Sequence, residues 1–275
     1  MKHMRRNLGR STAVLLFAAL ALPAAWPARA QKVPSDAVMK GFLPIGDYVL
    51  LVNGKQDKGA EIYQNSHIPA YLILATALPS PVLLTPGAGN VETVNLMKVA
   101  KQKDGSVDLL ADAALAPQGK FQIQGETVAF TSEGRQASLS PNPPLLGLKK
   151  NADLKSHNPE YARTARGYNP NPAKIAALKE EPQPVTVRVF FGSWCPHCRQ
   201  HVPLMLKVED QLGGSKIHFE YYGLPKDFKD PEAKRMGIKG VPTAVVYVNG
   251  REVGRMESQD WVTPEATLSK LLGIG

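Results

Sequence analysis

Apolar residues fall along this chain in two rhythms. Up to about residue 140 they form short runs cut by turn residues, and beyond residue 180 they form unbroken runs and helically spaced stripes. Tyr48-Val49-Leu50-Leu51-Val52 followed by Asn53-Gly54 predicts a strand and a tight turn, and residues 70–75 predict a buried strand. Residues 81–84 and 91–100 predict two further strands. Residues 121–130 read as a hairpin with alternating faces, and residues 134–139 as an edge strand. Short strands with turn signals at this spacing predict a β-rich domain over residues 31–148, a small barrel or sandwich.

The pattern then changes. Residues 141–144 are proline-rich and residues 149–172 are polar with few apolar positions, which predicts a domain boundary carried by a loop draped between domains. Ile175 and Leu178 have helical spacing behind Pro172, so residues 149–182 read as a linker ending in the first helix of a second domain. From residue 183 the run Val185 to Phe191 predicts a buried strand. Val202, Leu204, Met205, Val208 and Leu212 predict a helix stopped by Gly213-Gly214. Residues 216–222 and 243–248 predict strands, Asn249-Gly250 turns the second into residues 251–256, and residues 265–272 close the chain as a helix.

The candidate chemistry sits at the junction of that buried strand and the following helix. Cys195 and Cys198 are the only cysteines in 275 residues, and they lie three apart at a predicted helix N-terminus. Unpaired N–H groups and the helix dipole favour negative charge there, so a thiol at Cys195 ionises more readily. The thiolate is the attacking species in disulfide exchange, which makes Cys195 the candidate nucleophile and Cys198 its resolving partner. One bond closing so small a loop restricts the unfolded chain little, so reversible redox chemistry explains the pair better than stability does.

The segment Trp194-Cys195-Pro196-His197-Cys198 resembles the thioredoxin superfamily, and its Cys-Pro-His-Cys version resembles the Dsb-type disulfide oxidases of the bacterial periplasm. Pro203 resembles the proline inside the active-site helix of thioredoxins. Gly240-Val241-Pro242-Thr243 resembles the loop whose cis proline faces the cysteine pair. The resemblance covers about the last 95 residues and implies an α/β thioredoxin-like domain over residues 183–275, a central mixed sheet with flanking helices, preceded by the separate β-rich domain. It implies a protein thiol–disulfide oxidoreductase that needs no cofactor, with Cys195 and Cys198 catalytic, Pro196 and His197 tuning the redox poise, and Trp194, Val241 and Pro242 contacting substrate. The implied partners are substrate protein thiols or disulfides and a redox partner that resets the pair, a membrane protein among the candidates.

Two departures from the family pattern bear on direction. Where thioredoxins carry a buried aspartate six residues before the first cysteine, this chain has Val189, with Glu220 a candidate substitute; and residues 224–240 are too few for the helical insertion of Dsb-type oxidases. The missing acid and Val241 lean toward net oxidation, and the compact scaffold leans toward a periplasmic reductant serving cytochrome maturation or disulfide repair. A third reading is metal binding by Cys195, Cys198 and His201, with His197 as a fourth ligand. Arg199, not His, follows Cys198, which excludes the c-type haem attachment motif.

Targeting and charge complete the picture. Lys2, Arg5, Arg6 and Arg10, an apolar core over residues 13–25 and Ala28-Arg29-Ala30 read as a secretory signal cleaved after Ala30, which implies a periplasmic location. Cleavage would remove five basic residues, lowering the formal charge from +9 to +4. No basic stripe with interleaved aromatics points to nucleic acid. In the β-rich region, His67, Tyr63 and Tyr71 read as ordinary surface or core residues. Pro86-Gly87-Ala88-Gly89-Asn90 lacks the lysine and helix of a phosphate loop and reads as a turn.

Overall fold

Alternating apolar positions between residues 42 and 141 build two antiparallel sheets. The computed structural model describes residues 40–274, so the expected signal and its cleavage site lie outside the described residues. The strands are β1 (Phe42–Ile45), β2 (Tyr48–Val52), β3 (Lys55–Gln56), β4 (Glu61–Asn65), β5 (Tyr71–Leu74), β6 (Val82–Thr85), β7 (Asn90–Val94), β8 (Val99–Lys101), β9 (Val107–Leu109), β10 (Leu115–Lys120), β11 (Gln122–Gln124), β12 (Thr127–Ser132) and β13 (Arg135–Pro141). An eight-stranded sheet has the order β10-β7-β6-β5-β4-β1-β9-β8, and a five-stranded sheet the order β11-β12-β13-β2-β3.

Side chains on successive strand residues point to opposite faces, and both faces of the larger sheet are buried. Ile62, Ile73, Val82 and Leu84 meet Leu50, Phe130 and Leu139 of the smaller sheet, as in a sandwich. Their neighbours Tyr63, Leu72 and Leu83 turn the other way and close a second core with Phe42, Val107 and Leu109, as a curled sheet requires.

Three expectations for this region need correction. Residues 91–100 are not one strand: Asn95 accepts a hydrogen bond from the Met97 N–H and starts a short 3-10 helix, Leu96–Lys98, between β7 and β8. Residues 134–139 do not form an edge, because β13 lies between β12 and β2. β1, β3, β4, β9 and β10 were not anticipated, since β4 and β10 carry polar residues and β1, β3 and β9 are short.

The largest correction concerns residues 149–172. They are not a loop between domains: β14 (Gly147–Lys149) leads into α1 (Asn151–His157) and α2 (Pro159–Gly167). The Asn-Pro pairs that punctuate this stretch are helix starts. Asn158 accepts from the Glu160 N–H ahead of α2, and Asn171 accepts from Ala173 and Lys174 ahead of α3 (Pro172–Lys179), each with proline at the first helical position. Most of their residues are polar and half-buried or exposed, but Leu154, Tyr161 and Ala165 are buried.

The C-terminal part follows the expected order: β15 (Val185–Phe191), α4 (Pro196–Gln211), β16 (Ile217–Gly223), α5 (Pro231–Arg235), β17 (Thr243–Val248), β18 (Arg251–Met256) and α6 (Pro264–Leu271). Its sheet has the order β14-β16-β15-β17-β18, with β15 and β16 parallel and the remaining pairs antiparallel. The central β15 is buried along its face toward α4 and at Phe190 on the other face, where Thr186 and Arg188 interrupt the apolar run and stay half-buried. Val185, Val187, Val189 and Phe191 face α4 together with Leu154, Tyr161 and Leu268. Phe190 faces Leu224, Ala233 and Ile238 on the other side.

The two parts have separate cores, yet all described residues belong to one compact unit. Arg163 donates to the Pro44 carbonyl at 3.1 Å, and Asn142 donates to the carbonyls of Gly46 and His157 at 2.9 and 3.4 Å. Helices α1 and α2 are thus fixed to both sheet systems. Leu154→Ala is expected to cost about 2–5 kcal/mol, as other large-to-small core substitutions do, and to lower the urea midpoint accordingly. A solvated linker would leave that midpoint unchanged.

Candidate active site

A sharp turn between β15 and α4 places the two cysteines in different surroundings. The strand ends at Phe191, the Cys195 N–H bonds back to the Gly192 carbonyl at 2.9 Å, and α4 starts with Cys195 as its N-cap and Pro196 as its first residue. Cys195 therefore sits where N–H groups of the first turn are unpaired, and Cys198 one turn further in faces the core. Cys195 keeps 6 % of its surface exposed and Cys198 none, and both are free thiols.

Gly192 permits this geometry. A Cβ at residue 192 would stand 2.5 Å from the Trp194 ring, so only glycine lets the indole fold back over the turn. The indole N–H donates to the Leu224 carbonyl at 2.8 Å, and the ring meets Phe228 edge-on at 6.0 Å. The Gly192 N–H also donates to the Cys198 sulfur at 3.4 Å. Across the site the Val241–Pro242 peptide is cis, and the Val241 carbonyl accepts from the Cys195 thiol at 3.7 Å. The turn thus brings Trp194, Cys195, Val241 and Pro242 together, while Pro196 and His197 are exposed on the outer side of the first turn.

The electrostatics of the two sulfurs are opposite. The hydrogen bond from the Cys198 thiol pulls the Cys195 pKa down to about 6; burial works against it, and the N–H groups of Cys198 and His197 and the charge of the His197 imidazole add to it. Burial pushes the Cys198 thiol far above the ordinary thiol range, and its hydrogen bond to Cys195 adds to this. The accessible sulfur is an anion at neutral pH and the inner one a thiol. Such a pair can attack a disulfide through Cys195 and then transfer the new bond to Cys198.

Two candidates from the sequence are placed elsewhere. Glu220 does not substitute for an acid at Val189: it lies beside Arg188, bonded at 2.7 Å, on the opposite face of the sheet, because neighbouring strand residues alternate. Val189 itself is buried in the apolar core under α4. His201 does not join the cysteines as a metal ligand, and among the described residues no three His, Cys, Asp or Glu side chains converge on a metal site. His201 lines a groove of about 720 Å³ with His197, Val241, Pro242, Arg255 and Trp261.

On the other flank, a cleft of about 910 Å³ lies between Ser193 and Trp194 and the β-rich part, where Tyr48, Tyr71, Phe121 and Ile123 line it. Here the structure adds residues that sequence reading missed. Asp47, just before β2, forms an ion pair with Arg199 of α4, and the Ser193 hydroxyl accepts from the Leu145 N–H at 3.0 Å. Arg199 was visible only as the residue that breaks a haem motif, since its partner lies 152 positions away. His67 is exposed, Tyr63 is core and residues 86–89 are a turn.

A mixed five-stranded sheet with helices on both faces, a dithiol at the start of the central helix and a cis proline opposite define a thioredoxin-type thiol–disulfide site. Comparison with known proteins agrees: residues 174–271 match the thioredoxin family. A thioredoxin of Malassezia sympodialis is 30% identical over 76 residues, covering 28% of this chain and 70% of the relative. The chloroplastic thioredoxin Y of Oryza sativa subsp. japonica is 27% identical over 154 residues, covering 47% and 87%. Among solved structures, thioredoxin f2 of Chlamydomonas reinhardtii is matched at 21% identity over 35% of this chain and 86% of that one, with a TM-score of 0.28. The chain belongs to the thioredoxin family, whose shared activity is thiol–disulfide exchange with protein substrates.

The thiol of Cys195 loses its proton as pH rises through about 6, so its alkylation should climb with pH up to that point and level off near pH 7. An unperturbed thiol, half ionised only at about pH 8.5, would still be climbing at pH 9. Mass-spectrometric counting of iodoacetamide adducts across pH 4–9 in the folded protein checks this, with Cys198 expected to stay unmodified throughout.

Proposed function

We propose that this chain is an exported protein thiol–disulfide oxidoreductase that exchanges disulfides with substrate proteins through Cys195 and Cys198, with net oxidation favoured. The observation that carries the reading is the split between the two sulfurs, one held down to about pKa 6 and the other kept protonated by burial. In the oxidising direction a substrate thiolate attacks Cys195 of the disulfide, Cys198 leaves, and a second substrate thiol displaces Cys195 as the substrate disulfide forms. Two electrons remain on the dithiol, and a redox partner, which a membrane protein could supply, removes them.

Three features support this direction. Stabilising the Cys195 thiolate stabilises the reduced form and makes the disulfide a stronger oxidant, by roughly 30 mV for each pKa unit. Exposed His197 adds to that stabilisation, as in the Cys-Pro-His-Cys pattern of Dsb-type oxidases. Val189 leaves no acid on β15 to take the Cys198 proton when a substrate is reduced. Val241 and cis Pro242 form the rim on which an extended substrate segment lies, and Trp194 supplies its apolar wall. The periplasm as the site of action rests on the signal pattern of the first thirty residues.

A reductant is the second reading, and two observations favour it: relatives such as those above are thioredoxins, and residues 224–240 hold only the five-residue α5. The reduction potential separates the two. We expect a value well above about −270 mV, the potential of thioredoxin, when the protein is equilibrated with glutathione. A value at or below that would reverse the assigned direction.

The division of labour has its own test. Cys195→Ser should abolish exchange, whereas Cys198→Ser should accumulate mixed disulfides with substrates in the oxidising compartment, visible as bands that collapse on reduction. An absence of such species would sink the assignment of Cys198 as the resolving partner.

A further inference from the structure

The apolar setting of Cys198 raises a question that the exchange reaction makes acute. Whenever the Cys195–Cys198 bond is broken by attack at Cys195, the electron pair passes to the Cys198 sulfur, which becomes a thiolate inside a core where burial opposes charge. Two carboxylates of the C-terminal part are committed elsewhere. Glu209 bonds to the Tyr221 hydroxyl at 2.7 Å and stands about 16 Å along α4 from Cys198, at 1.5 Å per residue. Glu265 bonds to the Tyr168 hydroxyl at 2.6 Å.

Among the described residues two polar groups of this core are uncommitted, the Trp261 indole N–H, in the groove with His197 and Pro242, and the Tyr161 hydroxyl. Tyr161 is fully buried in the same apolar cluster as both cysteines, and its hydroxyl has no hydrogen-bond partner among the described residues. Burying a hydroxyl unpaired destabilises a fold, and phenylalanine would fill the same space without that cost.

The course of the chain places Tyr161 beside the active-site turn. At the start of α1, Asn151 donates to the Leu206 carbonyl at 3.2 Å, and Lys155 bonds Asp210 at 2.7 Å, both near the C-terminal end of α4. The chain then runs back along α4, so that Glu160 and Arg163 of α2 line one groove with Pro196, Arg199 and Gln200 of its first turn. Tyr161 and Ala165, four residues apart, form the buried face of α2, on the side of Cys198 and Val202. The electrostatic influence of Cys198 on the Tyr161 phenol, larger than that of Cys195, agrees with this placement.

We infer that the Tyr161 hydroxyl joins the Gly192 N–H as a second donor to Cys198 while it is a thiolate. This rests on the exchange function proposed above. In the dithiol the hydroxyl does not bond the sulfur; as the bond between a substrate sulfur and Cys195 forms and the Cys195–Cys198 bond breaks, the Tyr161 side chain shifts to donate a hydrogen bond to the departing sulfur. The thiolate afterwards takes a proton from water, and the hydroxyl returns to its unpaired state. In the reverse direction the same donor supports Cys198 once it has lost its proton and before it attacks Cys195. Because the hydroxyl bonds only the transient thiolate, it changes rates in both directions and leaves the equilibrium between dithiol and disulfide alone.

Tyr161→Phe tests this. Reduction of the oxidised protein by dithiothreitol and oxidation of the dithiol by oxidised glutathione, both followed by tryptophan fluorescence, should slow about 10- to 100-fold, the value of a hydrogen bond to a charged group. The reduction potential should not move, and the melting temperature should hold or rise. Unchanged rates would overturn the inference, as would a slower variant with a shifted potential, which marks a distorted site. If Phe at this position does not fold, 3-fluorotyrosine at residue 161, a stronger donor of nearly equal size, should raise both rates, and equal rates would overturn the inference. A wild-type protein that exchanges no disulfides overturns the proposed function and this role together, whereas an active wild type matched by Tyr161→Phe overturns this role alone.

Discussion

The unequal burial of two sulfurs one helical turn apart is the constraint on which the rest of the C-terminal part depends. A helix N-terminus can support an anion at its first residue, and the same helix, pressed against an apolar sheet, denies charge to the residue three positions on. The chain meets both conditions with a strand, Val185–Phe191, buried along its face toward α4 and joined to that helix by the turn at Gly192. Gly192 makes the turn tight enough for Trp194 to fold over it, and its N–H steadies the inner sulfur. The loop at Val241 then needs only to stand opposite. Its carbonyl meets the outer thiol, so any substrate strand that docks there arrives beside the reactive atom.

The β-rich part is more than an attached neighbour. Its Asp47 holds Arg199, and Arg199 is the residue next to Cys198. Its Gly46 lies so close to His157 and Asn158 that a Cβ would stand 2.6 Å from backbone atoms there. The segment that leaves its last strand reaches the active-site turn through Leu145 and Ser193. Three separate contacts therefore converge on the turn and on the two helices behind it. The aromatic and apolar residues lining the cleft beyond Trp194 give one flank of the site a wall that the C-terminal part alone does not possess.

The C-terminal part was legible because its signals are local. A run rich in valine and phenylalanine, two cysteines at fixed spacing, Asn249-Gly250 and a Val-Pro pair each specify a short stretch, and each stretch forms as read. The stretch from 149 to 172 was misread because its helices are held by few buried residues. Leu154, Tyr161 and Ala165 do stand at helical intervals of seven and four, but the Asn-Pro pairs among them look like breaks until their capping bonds are seen. Glu220 was misassigned because strand parity, not distance along the chain, decides which side of β15 a carboxylate occupies. The Asp47–Arg199 pair lay beyond reach for another reason: nothing in either neighbourhood announces a partner across 152 residues.

The short strand β14 is the outermost member of the C-terminal sheet and covers the edge of β16, and just before it the Leu145 carbonyl crosses Gly223 so closely that a Cβ there would stand 2.1 Å from it. The region matching the thioredoxin family begins only at residue 174. A fragment trimmed to that match would strip the cover from β16, leaving its backbone donors and acceptors open to pairing between molecules, and would bare the apolar surface under α1 and α2. The smallest self-sufficient redox unit in this chain is therefore longer than the homology boundary implies, and starts no later than the proline-rich stretch at 141–144.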